Sequence, residues 1–196
     1  QIKTRHGLNG KKHLAMLLYA LLMVAAVYFL PLSDLSLFSK IILTLAIITP
    51  LGPQIYRTFF QPLVAAPSLV LLIVSIAVHV SLVGTALLIF GPNGAQTTAF
   101  TDKFFEVGVL SINSQTLWIL FAFVVLMISF SYFFSKTLYG KALRATAINR
   151  VGARLMGISP VFAGKITFAF AAFVGALSGI LIAPITTLYY DSGFLI

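Results

Sequence analysis

The stretch KTLYGKALRATAINRVGARLMGISP, residues 136–160, decides how the whole chain is read. It carries Lys136, Lys141, Arg144, Arg150 and Arg154 with no acidic residue, and it lies between two strongly apolar runs. A segment this basic does not sit in hydrocarbon, whereas its neighbours do, so it must lie at a membrane face. Short basic connections between spans are retained on the cytoplasmic side, and this one therefore orients what precedes and follows it.

Composition agrees. Hydrophobic residues make up 60% of the 196, charged residues 9%, and mean hydropathy is +1.05. That is more apolar surface than a soluble domain of this length hides, so the fold class is an all-α polytopic integral membrane protein. The net charge of +9 sits in short flanks beside apolar runs, where topology control and anionic lipid headgroups account for it better than nucleic acid does. With no cysteine, disulfides, thiolate metal sites and cysteine nucleophiles are excluded.

Outward from the basic stretch, five spans are expected, over about residues 14–32, 36–56, 68–91, 116–134 and 161–188, forming a single transmembrane domain over 1–196. The first follows a flank with Lys3, Arg5, Lys11 and Lys12; it is long, and no small-x-small cleavage site follows it, so it reads as a retained span. The second meets Pro50 and Pro53, which remove two backbone donors and leave only about 36–49 as regular helix. A kink or early helix end is the simpler reading; a broken helix lining a substrate path is the sharper one. The third holds His79 near its midpoint, either a neutral imidazole bonded to a neighbouring helix or a group for substrate contact or proton relay. In the fifth, Ala163, Thr167, Ala171, Gly175, Gly179 and Ala183 recur every four residues, a row that lets another helix approach and places this span centrally in a bundle.

Loop charges orient the bundle. With the N-terminus cytoplasmic, every Lys and Arg except Lys40 and Lys103 falls inside, and Asp34, Asp102, Glu106 and Asp191 all fall outside. No GxxxxGK[ST] loop, HExxH or paired carboxylates occur, so no catalytic, cofactor or metal site is expected and the chain is not itself an ATPase. The basic loop does not separate into apolar and basic faces, because Arg144 and Arg154 project into the arc of Leu143, Ala147, Val151 and Leu155. With Gly140, Gly152 and Gly157 it reads as short helical pieces with bends, suited to a groove on a protein partner; the plain alternative is a solvated loop that only sets topology.

The run from Tyr139 to Ile158, followed by KITFAFAAFVGALSGILIAPI over 165–185, closely resembles the permease subunits of branched-chain amino acid ABC importers. In that family a G-x-A-L-R-A-T-A-x-N-x-x-A-A-R-L-x-G-I loop precedes a small-residue helix. Upstream, IYRTFFQPLVAAPSLVLLIVSIAV over 55–78 is similar to the family's Y-R-P-L-R-x-x-P stretch, with extra residues between Arg57 and Pro67. The resemblance covers about residues 55–196, and residues 1–50 match weakly. Val151 and Gly152 stand where the family often has Glu and Ala. The opening on Gln1 and the stop at Ile196 fit a fragment, a truncated product or part of a fused permease.

The resemblance implies a subunit of the bacterial or archaeal plasma (inner) membrane that forms part of a path for branched-chain amino acids or related small amides. Its implied partners are ABC ATPase subunits, a second permease subunit, an external binding protein and membrane lipid, with no cofactor and no nucleic acid. Gly140, Ala142, Leu143, Arg144, Ala145, Thr146, Ala147, Asn149, Ala153, Arg154, Leu155, Gly157 and Ile158 match the family's ATPase-coupling loop. A secondary transporter or channel using His79 and the Pro50/Pro53 break, without ATP, is the alternative.

Overall fold

The computed structural model describes residues 19, 35–64, 66–100, 104–107 and 110–195. In chain order the elements are α1 (Leu37–Ile48), α2 (Leu51–Ile55), a π-helical turn (Tyr56–Phe60), a 3-10 turn (Gln61–Leu63) and α3 (Ser68–Phe90). A hairpin of β1 (Phe104–Val107) and β2 (Leu110–Asn113) follows, then α4 (Ser114–Lys136), α5 (Leu138–Ile148), α6 (Arg150–Leu155), α7 (Pro160–Ile182) and α8 (Ser192–Leu195).

Among the described residues, four helical stretches are long and apolar enough to cross a membrane: Leu37–Leu63, Ser68–Phe90, Ser114–Lys136 and Pro160–Ile182. They correspond to the last four of the five expected spans, and the protein is a polytopic α-helical membrane protein. The first expected span, 14–32, lies outside the described residues apart from Tyr19. The fifth ends at Ile182 rather than 188, because Pro184 cannot continue it and Ala183 to Thr186 close in turns instead. The small antiparallel hairpin, pairing Phe104 with Asn113 through Val107 with Leu110, is an addition to the all-α expectation.

The second span runs seven residues beyond the expected end at 56. Pro50 and Pro53 interrupt it only at Thr49 and Pro50, and helix resumes at Leu51. Proline at position 50 leaves the carbonyl of Ala46 without its helical donor, and the Tyr19 hydroxyl donates to that oxygen at 2.8 Å. Gly52 N–H turns back to Thr49 at 3.3 Å, covering the carbonyl that Pro53 cannot serve. Past Ile55 the turn widens, with Gln61 N–H bonding to the Tyr56 carbonyl, five residues back. A single wide turn of this kind often marks a functional position in a helix.

The chain packs as two units, 1–47 and 48–196. In the first, the described contact is the bond from Tyr19 to α1. In the second, α2 lies against α7 so closely that a Cβ on Gly52 would run into the Phe168 carbonyl and stand 2.8 Å from the Ala172 Cβ. Tyr56 and Phe60 both stack on Phe168, with ring centroids 5.1 and 4.9 Å away. On α4, Phe130 and Phe133 meet Phe170 edge-on at 5.5 and 4.8 Å. Many large apolar side chains of α3 and α4, including Leu88, Ile89, Phe121 and Met127, stay exposed, as hydrocarbon-facing or partner-facing residues do.

At the end of the bundle where α7 finishes, the chain after α3 is tied down by hydrogen bonds. Ala95 and Leu188 exchange backbone bonds of 2.8 and 2.9 Å, and Thr97 N–H reaches the Ala183 carbonyl at 3.4 Å. Gln115, 0% exposed, donates to the Leu181 carbonyl at 2.9 Å and accepts from Phe100 N–H at 3.2 Å. Its amide thus satisfies a carbonyl at the end of α7 and a loop donor together, groups that hydrocarbon would leave unpaired.

Candidate functional site

The basic loop folds as two helices joined through one extended residue, Asn149. Each start is capped by its own sequence: Thr137 accepts from Gly140 N–H at 3.0 Å, Asn149 from Gly152 N–H at 2.9 Å, and Ser159, ahead of Pro160, from Phe162 N–H at 3.5 Å. The α6 terminus closes with Ile158 N–H on the Ala153 carbonyl and Gly157 N–H on that of Arg154. Gly157 has φ +80°, the left-handed value this ending requires.

Two of the three glycines of the loop therefore differ from the bends expected of them. Gly157 is a turn. Gly140 is a contact within α5, where a Cβ would strike the Phe133 carbonyl and stand 2.7 Å from the Phe134 Cα. Gly152 lies inside α6, its Cβ direction facing the capping Asn149 at 3.3 Å. Leu143, Thr146 and Ala153 are buried, whereas Lys141, Arg144, Ala147, Asn149, Arg150 and Arg154 are exposed. Arg144 reaches Ser135 at 3.5 Å. On the outer surface Ile148, Val151, Leu155 and Met156 are 71% to 86% exposed, an apolar patch at a helix pair that is otherwise basic.

Beneath α5 lies a cavity of about 300 Å3, walled by the π-helical turn, α5 and the first two turns of α7. Tyr56 is 6% exposed, and its ring lies against Gly164 where any larger residue would collide with it. Phe60, Leu71 and Phe168 supply apolar wall, and Thr146, Arg150 and Thr167 supply polar groups. His79, Pro50 and Pro53 do not line this cavity; His79 is half-buried in α3.

The small-residue row of α7 is packed only at its ends. Ala163 and Ala183 are buried, but Ala171 and Gly175 are exposed, and a Cβ at Gly175 or Gly179 would meet open space among the described residues. The close approach within this chain uses the adjacent row, Gly164, Phe168 and Ala172. Tyr56, Gly52, Gly164 and Gln115 are the positions that sequence reasoning missed. The Tyr-Arg pair at 56 and 57 and a glutamine beside an apolar run were the signals present. Among the described residues no three His, Asp or Glu side chains gather into a metal site.

The family described as branched-chain amino acid transport system / permease component matches residues 10–195. This chain belongs to that family. The match begins at residue 10 rather than near 55, so the weak N-terminal likeness in the motifs understated the extent of the kinship. No curated protein and no solved structure matches the chain. As a component of this permease family with four membrane-crossing helices among its described residues, the chain is a multi-pass membrane transport protein, and the family is a transport rather than an enzymatic one.

Proposed function

We propose that this permease component forms part of the translocation path of an ABC importer for branched-chain amino acids or related small amides, with ATP hydrolysed by a separate subunit that docks on α5 and α6. The observation that carries the reading is the outer surface of those helices. Ile148, Val151, Leu155 and Met156 project from a segment too basic to lie in hydrocarbon, so their apolar area suits a groove on a protein partner. Capping at Thr137, Asn149 and Ser159 and the Gly140 contact with α4 make the pair rigid, which transmission of motion from a docked subunit requires.

The remaining partners are a second permease subunit, an external binding protein and membrane lipid, in the plasma (inner) membrane of a bacterium or archaeon. Coupling is a difference in docking free energy between nucleotide states, so damage to the docking face uncouples transport without preventing insertion. In the assembled transporter, Arg144→Glu and Gly157→Val are expected to abolish ATP-dependent uptake of branched-chain amino acids at normal membrane levels. Uptake at the wild-type rate in both variants would remove the coupling assignment and favour a transporter working without ATP.

A further inference from the structure

A groove of about 510 Å3 runs along the outer face of α4 toward the end from which the basic loop departs. Its lining changes with depth: Val124, Met127 and Ile128 are apolar and 45% to 65% exposed, and Ser131, Ser135 and Lys136 follow toward the loop. From Val124 to Lys136 the helix rises about 18 Å, close to the depth of one leaflet of a hydrocarbon core roughly 30 Å thick.

Two hydroxyls in this groove are unspent. In apolar surroundings a helical serine or threonine can bond back to its own helix, as Ser81, Thr85, Thr167 and Ser178 do at 2.8 to 3.0 Å. Ser131 and Ser135 make no such bond among the described residues, and Ser135 only accepts, from Arg144 Nη2 at 3.5 Å. Both hydroxyl hydrogens are therefore left for an acceptor in the groove. Charge collects at the same rim. Lys136 ends α4, Arg144 arrives from α5, and neither forms an ion pair among the described residues. The described acids are Glu106, in β1, and Asp191, beyond the far end of α7, so none stands at this end to neutralise them.

We infer that this groove binds one anionic phospholipid, its phosphate held by Lys136, Arg144 and Ser135, an ester carbonyl by Ser131, and an acyl chain along Met127 and Ile128. Two cations above an apolar trough one leaflet deep match an anionic head on an acyl tail. A partner helix in the same place would have to bring an acid to the rim, whereas the lipid phosphate carries its charge at that height. Because Lys136 belongs to α4 and Arg144 to α5, the bound lipid braces the first loop helix against the span before it. The site stands apart from the transport reading and needs no ATPase.

The test uses the full chain with its single tryptophan removed by Trp118→Phe and a reporter introduced by Ile128→Trp. Phosphatidylcholine nanodiscs are doped with phosphatidylglycerol carrying brominated acyl chains or, separately, with brominated phosphatidylcholine. Half-maximal quenching of the reporter is expected at a several-fold lower mole fraction of the phosphatidylglycerol. A reporter made by Ile76→Trp, exposed at a matching depth on α3, should show no such preference. Lys136→Gln should raise the phosphatidylglycerol mole fraction needed at position 128 about fivefold, and Lys136→Arg should leave it unchanged. Equal quenching by the two lipids at position 128, an equal preference at position 76, or no effect of Lys136→Gln overturns the site. So does the absence of quenching by either lipid, which would mean that a protein segment covers the groove. Relief of the preference by inorganic phosphate at constant ionic strength overturns the lipid assignment and marks a soluble-anion site instead.

Discussion

Gly164 and Gly175 both belong to α7, yet they stand in opposite circumstances. The first presses against the buried ring of Tyr56, and the second meets no neighbour among the described residues. Gly164→Val is therefore expected to lower the melting temperature of the detergent-extracted chain, at a cost of about 1–3 kcal/mol as for other overpacked sites. Gly175→Leu should leave that temperature unchanged in the isolated chain and reduce recovery of an assembled permease pair. Equal melting of Gly164→Val and wild type would mean that Tyr56 is not held there. The periodicity of small residues was legible in the sequence, but the packed row was not. The two rows are offset by one residue, about 100° around the helix, and glycine and alanine occur on both, so composition could not choose between faces.

At the scale of elements, the loop helices define which positions face outward and would meet the proposed partner. Ala153 points inward at 5% exposure, whereas Val151 and Leu155 point out. Single cysteines at Val151 and Leu155 are expected to cross-link to the ATPase subunit and a cysteine at Ala153 is not, a pattern read by mobility on a denaturing gel. Cross-linking at all three, or at Ala153 alone, would reverse the assignment of faces. The loop's existence, basicity and division into short helical pieces could be read from residues 136–160. Its internal order could not, because reading the glycines as bends passed over the capping residues Thr137, Asn149 and Ser159, which set the helix boundaries. The second span was misjudged for a related reason. Two prolines three apart promise an end to a helix, and only the tertiary bond from Tyr19 to Ala46 accounts for the carbonyl that Pro50 abandons.

For the whole molecule, the charge distribution predicts sidedness. Asn93 follows α3 and Asn149 lies between α5 and α6, with α4 crossing between them. Cysteines introduced singly at these positions into the cysteine-free chain should react with a membrane-impermeant thiol reagent from opposite sides, Asn149 from the cytoplasm. Labelling from one side would contradict the arrangement. The number and approximate limits of the described spans were legible because long apolar runs have few alternatives in a bilayer. The contacts at the far end were not legible, since they join segments distant in sequence through backbone groups and one glutamine.

Those contacts have a consequence in time. The Gln96 side chain meets the Pro184 carbonyl 88 residues later, and that of Gln115 meets Leu181 66 residues later. At a synthesis rate of roughly 5–20 residues per second, the segment after α3 waits on the order of ten seconds before the ribosome delivers the carbonyls it will pair with. Until then the Gln115 amide lacks its α7 partner, so the insertion machinery must tolerate a half-built seam. The last span thus acts as a clasp on a wall whose other parts are already standing, and substitutions such as Gln115→Leu should appear first as newly made protein lost to degradation, before any defect in transport by the molecules that survive.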